Sequence, residues 1–188
     1  MRNAILIHGA YGNPDENWFP WLGKELEGEG YEVTVPVFPT PVGQDIDAWR
    51  KVFSEYEHML DPETILIGHS LGSAFVLDIL ERTTRPVRAA YLVAGFLGPL
   101  GNRKFDALNH SFVERSFDWE AISRNAGQIF VIASDNDPYV PEDEGYEIAS
   151  RLETEPIVIE GAGHFNTQSG YETFDILRDM IVLLGQSD

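Results

Sequence analysis

The chain alternates short apolar segments with longer amphipathic segments along its 188 residues. The apolar segments predict six strands, at 4–9, 31–38, 64–68, 87–94, 128–134 and 156–161. Four of them are nearly continuous Ile, Leu, Val and Ala, which is typical of strands buried on both faces of a parallel sheet. The segments between them predict helices at 16–29, 45–60, 70–83, 141–152 and 170–184.

Strands that alternate with helices indicate right-handed crossover units and a parallel sheet with helices on both sides. We therefore expect a three-layer α/β/α fold with about six parallel strands. The length suits one domain better than two, so residues 1–188 are expected to form a single domain. Residues 96–116 interrupt the alternation without a clear period and are interpreted as a small, cap-like insertion that makes a minimal lid.

The composition excludes several classes of protein. With 31 acidic and 13 basic residues, the formal net charge is −18, which repels nucleic acids and anionic membranes, so neither is expected as a partner. The acid excess is compatible with a solvated acidic surface or with adaptation to high salt. The chain has no cysteine, which excludes disulfides, thiolate zinc sites and a cysteine nucleophile. Because its apolar runs are too short for a membrane span or a signal peptide, a cytoplasmic protein is expected.

Residues 68–72 read Gly-His-Ser-Leu-Gly and lie between a predicted strand and a predicted helix. A phosphate-binding loop would need a lysine after the second glycine, and a dinucleotide fingerprint would open with Gly-x-Gly; neither is present. Gly-x-Ser-x-Gly at a strand-to-helix turn is instead typical of a nucleophile elbow, in which the serine has a strained, positive φ. Gly68 and Gly72 would leave the turn the space that it needs. The spacing therefore predicts Ser70 as a nucleophile.

The partners of such a serine follow it in the order acid, then histidine. His110 lies in the irregular insertion, whereas His164 lies in a glycine-rich loop after the last predicted strand, where the base is expected. Two acids, Asp135 and Asp137, follow the preceding strand. Asp137 is preferred as the acid, with Asp135 as the alternative.

An oxyanion needs two hydrogen-bond donors. The backbone N–H of Leu71 is one candidate, and the loop after the first strand supplies Ala10, with Tyr11 as the alternative. Side chains expected to line a substrate pocket are Tyr11, Trp18, His69 and Phe96. The Asp-Asn-Asp run at 135–137 lacks the continuation of a calcium-binding loop, and no metal or cofactor is expected.

With these motifs in place, the chain resembles the YdeN-like serine hydrolases of the α/β-hydrolase superfamily, the group that includes retinoblastoma-binding protein nine. The likeness spans nearly the whole chain and depends on ILIHGAYGNPDENWFPWL, FPTPVGQDIDAW, LIGHSLG, ASDNDPYVP and GAGHFN. It implies a reduced hydrolase core with a Ser70, Asp137 and His164 triad. Retinoblastoma protein is not expected as a partner, because the motif Leu-x-Cys-x-Glu cannot occur in a chain without cysteine.

The predicted function is the hydrolysis of a small ester by a Ser-His-Asp, carboxylesterase-like mechanism. Two alternatives stay open. One is an amidase, peptidase or thioesterase that uses the same triad on a small-molecule substrate. The other, of a different class, is a binding or interaction protein that has the hydrolase fold but little turnover. The sequence does not indicate an oligomeric state.

Overall fold

A computed structural model of the chain describes residues 2–186. The strands are β1 (Arg2–Ile7), β2 (Tyr31–Thr34), β3 (Ile65–His69), β4 (Ala89–Val93), β5 (Gln128–Ser134) and β6 (Ile157–Ile159). The helices are α1 (Phe19–Gly28), α2 (Ile46–Phe53), α3 (Leu71–Arg82), α4 (Arg103–Val113), α5 (Trp119–Asn125), α6 (Glu142–Arg151) and α7 (Asp175–Gly185). In this part of the chain, no helix combines the length and the apolar character that crossing a membrane would require.

The six strands form one parallel sheet in the order β2-β1-β3-β4-β5-β6. Alternate residues of β1 enter two separate apolar clusters, with Ala4 and Leu6 on one face and Ile5 and Ile7 on the other. Helices α1 and α7 contribute to the first cluster, and α2 to α6 contribute to the second. The predicted three-layer α/β/α architecture is therefore confirmed, and its strands are apolar because both faces of the sheet are covered.

The sheet brings the chain after β1 next to the chain after β3. The two strands are neighbours, with Ala4 opposite Ile65. The chain crosses from β1 to the strand on one side and from β3 to the strand on the other. Such a change of direction opens a crevice at the carboxyl ends of the strands, where α/β proteins bind their ligands. The segments after Ile7 and His69 therefore meet in this crevice.

No helix was predicted within 96–116, which is wrong, because the second half of this segment forms most of α4. That the segment is a cap-like insertion stays a prediction. The helix begins after Asn102, whose Oδ1 accepts hydrogen bonds from the N–H groups of Lys104 and Phe105. Its buried side carries Asn109 together with Phe112 and Val113. A buried polar residue on that side conceals the apolar period from which a helix is predicted.

Several other elements are shorter than predicted, among them β2 and α2. Strand β2 ends at Thr34 instead of continuing to residue 38. It is an edge strand, and the run continues into Pro36, which has no N–H to donate to a sheet. Helix α2 ends at Phe53, and the rest of the predicted helix contains only a short 3-10 turn, Glu57–Met59.

A buried ion pair joins α3 to α2. The carboxylate of Asp78 is 1% exposed and accepts hydrogen bonds from Nε and Nη2 of Arg50 at 3.0 and 2.6 Å. The hydrogen bonds to Asp78 raise the pKa of Arg50 above its usual value. Because α3 begins directly after Ser70, this pair helps to hold the helix that follows the candidate nucleophile.

Candidate active site

Ser70 lies at the turn between β3 and α3 with φ 56° and ψ −123°. The turn is closely packed, since a Cβ at Gly72 would lie 2.2 Å from the carbonyl oxygen of Ile7. A Cβ at Gly68 would lie 2.6 Å from the backbone of Gly72. Both distances are too short for any side chain, so the turn requires glycine at these positions. The geometry is that of the predicted elbow.

The N–H of Leu71 points out of the first turn of α3. Leu71 is the first residue of that helix, where backbone N–H groups have no intrahelical acceptor. The amino end of a helix also carries partial positive charge. A negative oxygen next to Ser70 would therefore be stabilised from this side.

His164 is paired with Asp137. Its Nδ1 lies 2.7 Å from Asp137 Oδ2, and because a carboxylate can only accept, Nδ1 carries the hydrogen. The other oxygen, Oδ1, accepts from the backbone N–H groups of Tyr139 and Val140 at 2.8 and 3.0 Å. In the neutral imidazole this leaves Nε2 of His164 as the proton acceptor.

Asp135, the alternative acid, has a different contact. Its Oδ1 accepts the N–H of Gly161 at 2.7 Å, while the Oδ1 of Asn136 accepts the N–H of Gly163 at 2.7 Å. The first two residues of the Asp-Asn-Asp run thus hold the backbone of the loop that carries His164, and the third contacts its imidazole.

Two buried rings hold the same loop from the other side. His69 Nε2 donates to the carbonyl oxygen of His164 at 2.8 Å, and Trp18 Nε1 donates to that of Phe165 at 2.9 Å. Burial, with the neighbouring His164, lowers the pKa of His69 to about 3. His69 is therefore neutral at ordinary pH and keeps Nε2–H as a donor.

Residues 8–12, the oxyanion loop below, form a turn in which Gly12 N–H donates to Gly9 O at 3.2 Å. The N–H of Phe38 donates to His8 Nε2 at 3.1 Å, so the hydrogen of this buried ring is on Nδ1, which donates to Gly9 O at 2.9 Å. In a trans peptide the N–H points opposite to the carbonyl, so these bonds orient the N–H of Ala10 away from His8.

Tyr11, the alternative donor, has its N–H in use, because it donates to Thr40 Oγ1 at 2.7 Å. Gly9 lies against the nucleophile: a Cβ there would be 2.9 Å from Ser70 Cβ. The loop therefore approaches Ser70 closely and leaves Ala10 as the candidate donor on this side.

A cavity of about 670 Å³ opens at the carboxyl ends of the strands. Of the predicted site residues, Ser70, His164, Ala10, Tyr11 and His69 line it. Asp137 joins this set through its hydrogen bond to His164. The structure thus brings together predicted site residues from four widely separated segments of the chain.

Two predicted pocket residues, Trp18 and Phe96, do not line this cavity. Both are buried, as is Phe19, on which Trp18 stacks with ring centroids 4.5 Å apart. Phe19 and Phe105 line the cavity in their place. An aromatic pair at 18–19 was a visible signal, but which ring faces the cavity depends on how the start of α1 packs. Phe105 was missed because α4 was not predicted.

The described residues hold no group of three or more His, Asp or Glu side chains arranged as metal ligands. The titratable groups that line the cavity are instead the three imidazoles His8, His69 and His164, with Glu16, Tyr11 and Tyr139 nearer the rim. The cavity is lined by the hydroxyl of Ser70, the imidazole of His164 and Ala10, and the N–H of Leu71 follows Ser70 directly at the start of α3. Such a set of groups suits attack on a carbonyl carbon.

Comparison with known proteins gives a consistent result. Residues 4–182 match the family model described as serine hydrolase. YdeN of Bacillus subtilis (strain 168) is 29% identical over 182 residues, covering 96% of this chain and 94% of YdeN. Serine hydrolase RBBP9 of Rattus norvegicus is 29% identical over 181 residues, covering 95% of each chain. The crystal structure of the B. subtilis ydeN product matches with a TM-score of 0.92 at 28% identity and covers 100% of both chains.

We predict that His69 makes the stability of the fold sensitive to acid. Its folded pKa, about 3, lies below the usual 6.5, so the unfolded chain binds the extra proton first as the pH falls. The free energy of unfolding should lose about 2 kcal/mol from His69 alone between pH 7 and pH 5. Urea unfolding of wild type and His69→Gln at both pH values measures this loss.

The Gln variant keeps an N–H donor near the position of Nε2 but cannot titrate. Its free energy of unfolding should therefore fall by about 2 kcal/mol less than that of the wild type between pH 7 and pH 5. His110→Gln, which removes an exposed imidazole, is the control and should follow the wild type. Equal losses in the wild type and His69→Gln would contradict the prediction.

Proposed function

Since the chain belongs to the serine hydrolase family, we propose that it hydrolyses a small ester through an acyl-enzyme formed on Ser70. The observation that carries this proposal is the 2.7 Å hydrogen bond from His164 Nδ1 to Asp137, in a histidine that lines the same cavity as Ser70. A serine, a histidine and a buried acid in this relation form a charge-stabilised base next to a nucleophile.

In the proposed reaction, Ser70 Oγ attacks the ester carbonyl carbon and its proton passes to Nε2 of His164. Asp137 keeps the imidazole oriented and stabilises its positive charge. The N–H groups of Leu71 and Ala10 donate to the oxyanion. The tetrahedral intermediate expels the alcohol, which takes the proton from His164. Water then attacks the acyl-enzyme as its proton passes to His164. The second tetrahedral intermediate releases the acid, and His164 returns the proton to Ser70 Oγ.

The lining of the cavity supports a small, uncharged acyl group. Phe19, Leu100, Phe105 and Tyr139 give it an apolar and aromatic surface. Within residues 2–186, neither lysine nor arginine lines this cavity, so an anionic substrate would lack a counter-charge in a protein of net charge −18. Esters of short or flat acids fit both features. The single domain, the cytoplasmic location and the lack of nucleic-acid and membrane partners stay predictions.

A fluorophosphonate probe tests the nucleophile. We expect one covalent adduct on the wild type and none on Ser70→Ala, measured by intact mass. Ser73→Ala is the matched control and should keep the adduct, because the hydroxyl of Ser73 is buried and donates to Gly68 O at 2.9 Å. Labelling of Ser70→Ala would reject Ser70 as the nucleophile. No labelling of the folded wild type would favour a binding protein.

Matched substrates test the bond that is cleaved. For one short acyl group, we expect kcat/KM to be highest for the p-nitrophenyl ester, lower for the thioester and lowest for the anilide. Long-chain esters should be poorer substrates than short ones, because the cavity holds only about 670 Å³. A higher kcat/KM for the anilide or the thioester would replace the proposal by an amidase, a peptidase or a thioesterase.

The two neighbouring acids provide a matched pair of variants. Asp137→Asn should lower kcat by about 10³- to 10⁴-fold at pH 7, because an amide stabilises the wrong tautomer of His164 and cannot balance its charge. Asp135→Asn keeps an oxygen acceptor for the N–H of Gly161 and should retain most of kcat. Steady-state kinetics with the preferred ester compare them. A greater loss in Asp135→Asn than in Asp137→Asn would reverse the assignment.

A further inference from the structure

From a chain of hydrogen bonds that joins α4 to the oxyanion loop, we propose that Thr40 and Gln44 are positioning residues for the oxyanion donor Ala10. This inference rests on the proposed function, since it concerns the same site. Neither residue lines the cavity. They would act through the backbone of Tyr11, the residue that follows Ala10.

The chain of hydrogen bonds, called the relay below, has three links. The N–H of Tyr11 donates to Thr40 Oγ1 at 2.7 Å. The hydroxyl of Thr40 donates to Gln44 Oε1 at 2.5 Å. The amide Nε2 of Gln44 then donates to Asn109 Oδ1 at 2.7 Å and to the carbonyl oxygen of Leu108 at 3.3 Å, both on α4. The relay thus spans from the oxyanion loop to the helix whose N-terminal residues line the cavity.

The direction of every bond in the relay is determined by its two ends. At one end a backbone N–H, that of Tyr11, can only donate. At the other end a backbone carbonyl, that of Leu108, can only accept. The carbonyl oxygen of Leu108 requires the amide N–H of Gln44 on its side, so Gln44 Oε1 faces Thr40. The hydroxyl of Thr40 therefore accepts from the N–H of Tyr11 and donates to Gln44 Oε1. A relay with a single allowed arrangement holds one loop geometry.

The relay is buried at its α4 end, where apolar side chains would pack. Gln44 is 9% exposed and Asn109 is 0% exposed, on a helix side that also buries Phe112 and Val113. In the described part of the chain, Asn109 Nδ2 has no hydrogen-bond partner. A buried polar group without a partner destabilises the folded state. A buried network kept at such a cost specifies geometry more than it adds stability.

The oxyanion loop needs this support because Tyr11 has a positive φ of 61°. A residue other than glycine keeps such a conformation only where its surroundings impose it. The peptide before Ala10 is held by His8 Nδ1 at Gly9 O, and the peptide after it is held by Thr40 at Tyr11 N–H. Without the Thr40 acceptor, only the first of these peptides stays bound, and Ala10 gains rotational freedom.

The test compares Thr40→Val, which has nearly the same shape without the hydroxyl, with Thr40→Ser, which keeps the hydroxyl. We expect Thr40→Val to lower kcat for the preferred ester about 10- to 100-fold and to slow fluorophosphonate labelling similarly. KM should change far less, because the substrate does not touch Thr40. Thr40→Ser should restore most of kcat. A purely structural residue would change the unfolding midpoint and leave kcat of the folded protein unchanged.

Gln44→Met is the second variant and breaks the relay one link further from the loop. It replaces Thr40→Val in the test if that variant does not fold. Gln44→Met should also lower kcat, while its circular dichroism spectrum stays that of the wild type. Wild-type kcat and labelling in folded Thr40→Val or Gln44→Met would overturn the positioning proposal alone. A wild type that Ser70-directed probes do not label would overturn the proposed function, and the positioning proposal with it.

Discussion

The close approach of α3 to the ends of β1 and β3 is the constraint on which the site depends. The backbone of Gly72 is so near the carbonyl oxygen of Ile7 that no Cβ fits, and Gly68 is equally restricted. This contact forces a sharp turn and gives Ser70 its positive φ. It also brings Gly9, after β1, against the serine. The elbow and the oxyanion loop are therefore two consequences of one contact between backbones.

The loops on either side of Ser70 are held by hydrogen bonds instead of by sterics. Asn136 and His69 hold the loop of His164 through its backbone, and Asp137 holds the imidazole. On the other side, the buried ring of His8 orients the peptide before Ala10. Groups held in this way need little reorganisation when charge develops nearby, which is how preorganised sites lower a barrier.

Local patterns in the sequence were sufficient for much of this protein. Short, nearly continuous apolar runs predicted the parallel strands and their coverage on both faces, since strands buried on both sides are apolar at every position. The Gly-x-Ser-x-Gly spacing predicted the conformation of Ser70, because the clash involves residues two positions away. The order of the chain then singled out His164. It left two candidate acids, Asp135 and the preferred Asp137, because both lie at the same strand end. The structure pairs His164 with Asp137.

The sequence by itself thus determined the layers, the elbow and the candidate residues, because each depends on neighbours in the chain or on the order of elements. Only the tertiary structure decided that Trp18 is in the core while Phe19 lines the cavity, since the Trp18 indole donates to a carbonyl 147 residues away. Helix α4 was hidden by the buried Asn109, whose partner Gln44 lies 65 residues earlier. A buried polar residue is recognised as part of a network only when the distant group that satisfies it is known, and folding alone brings the two together.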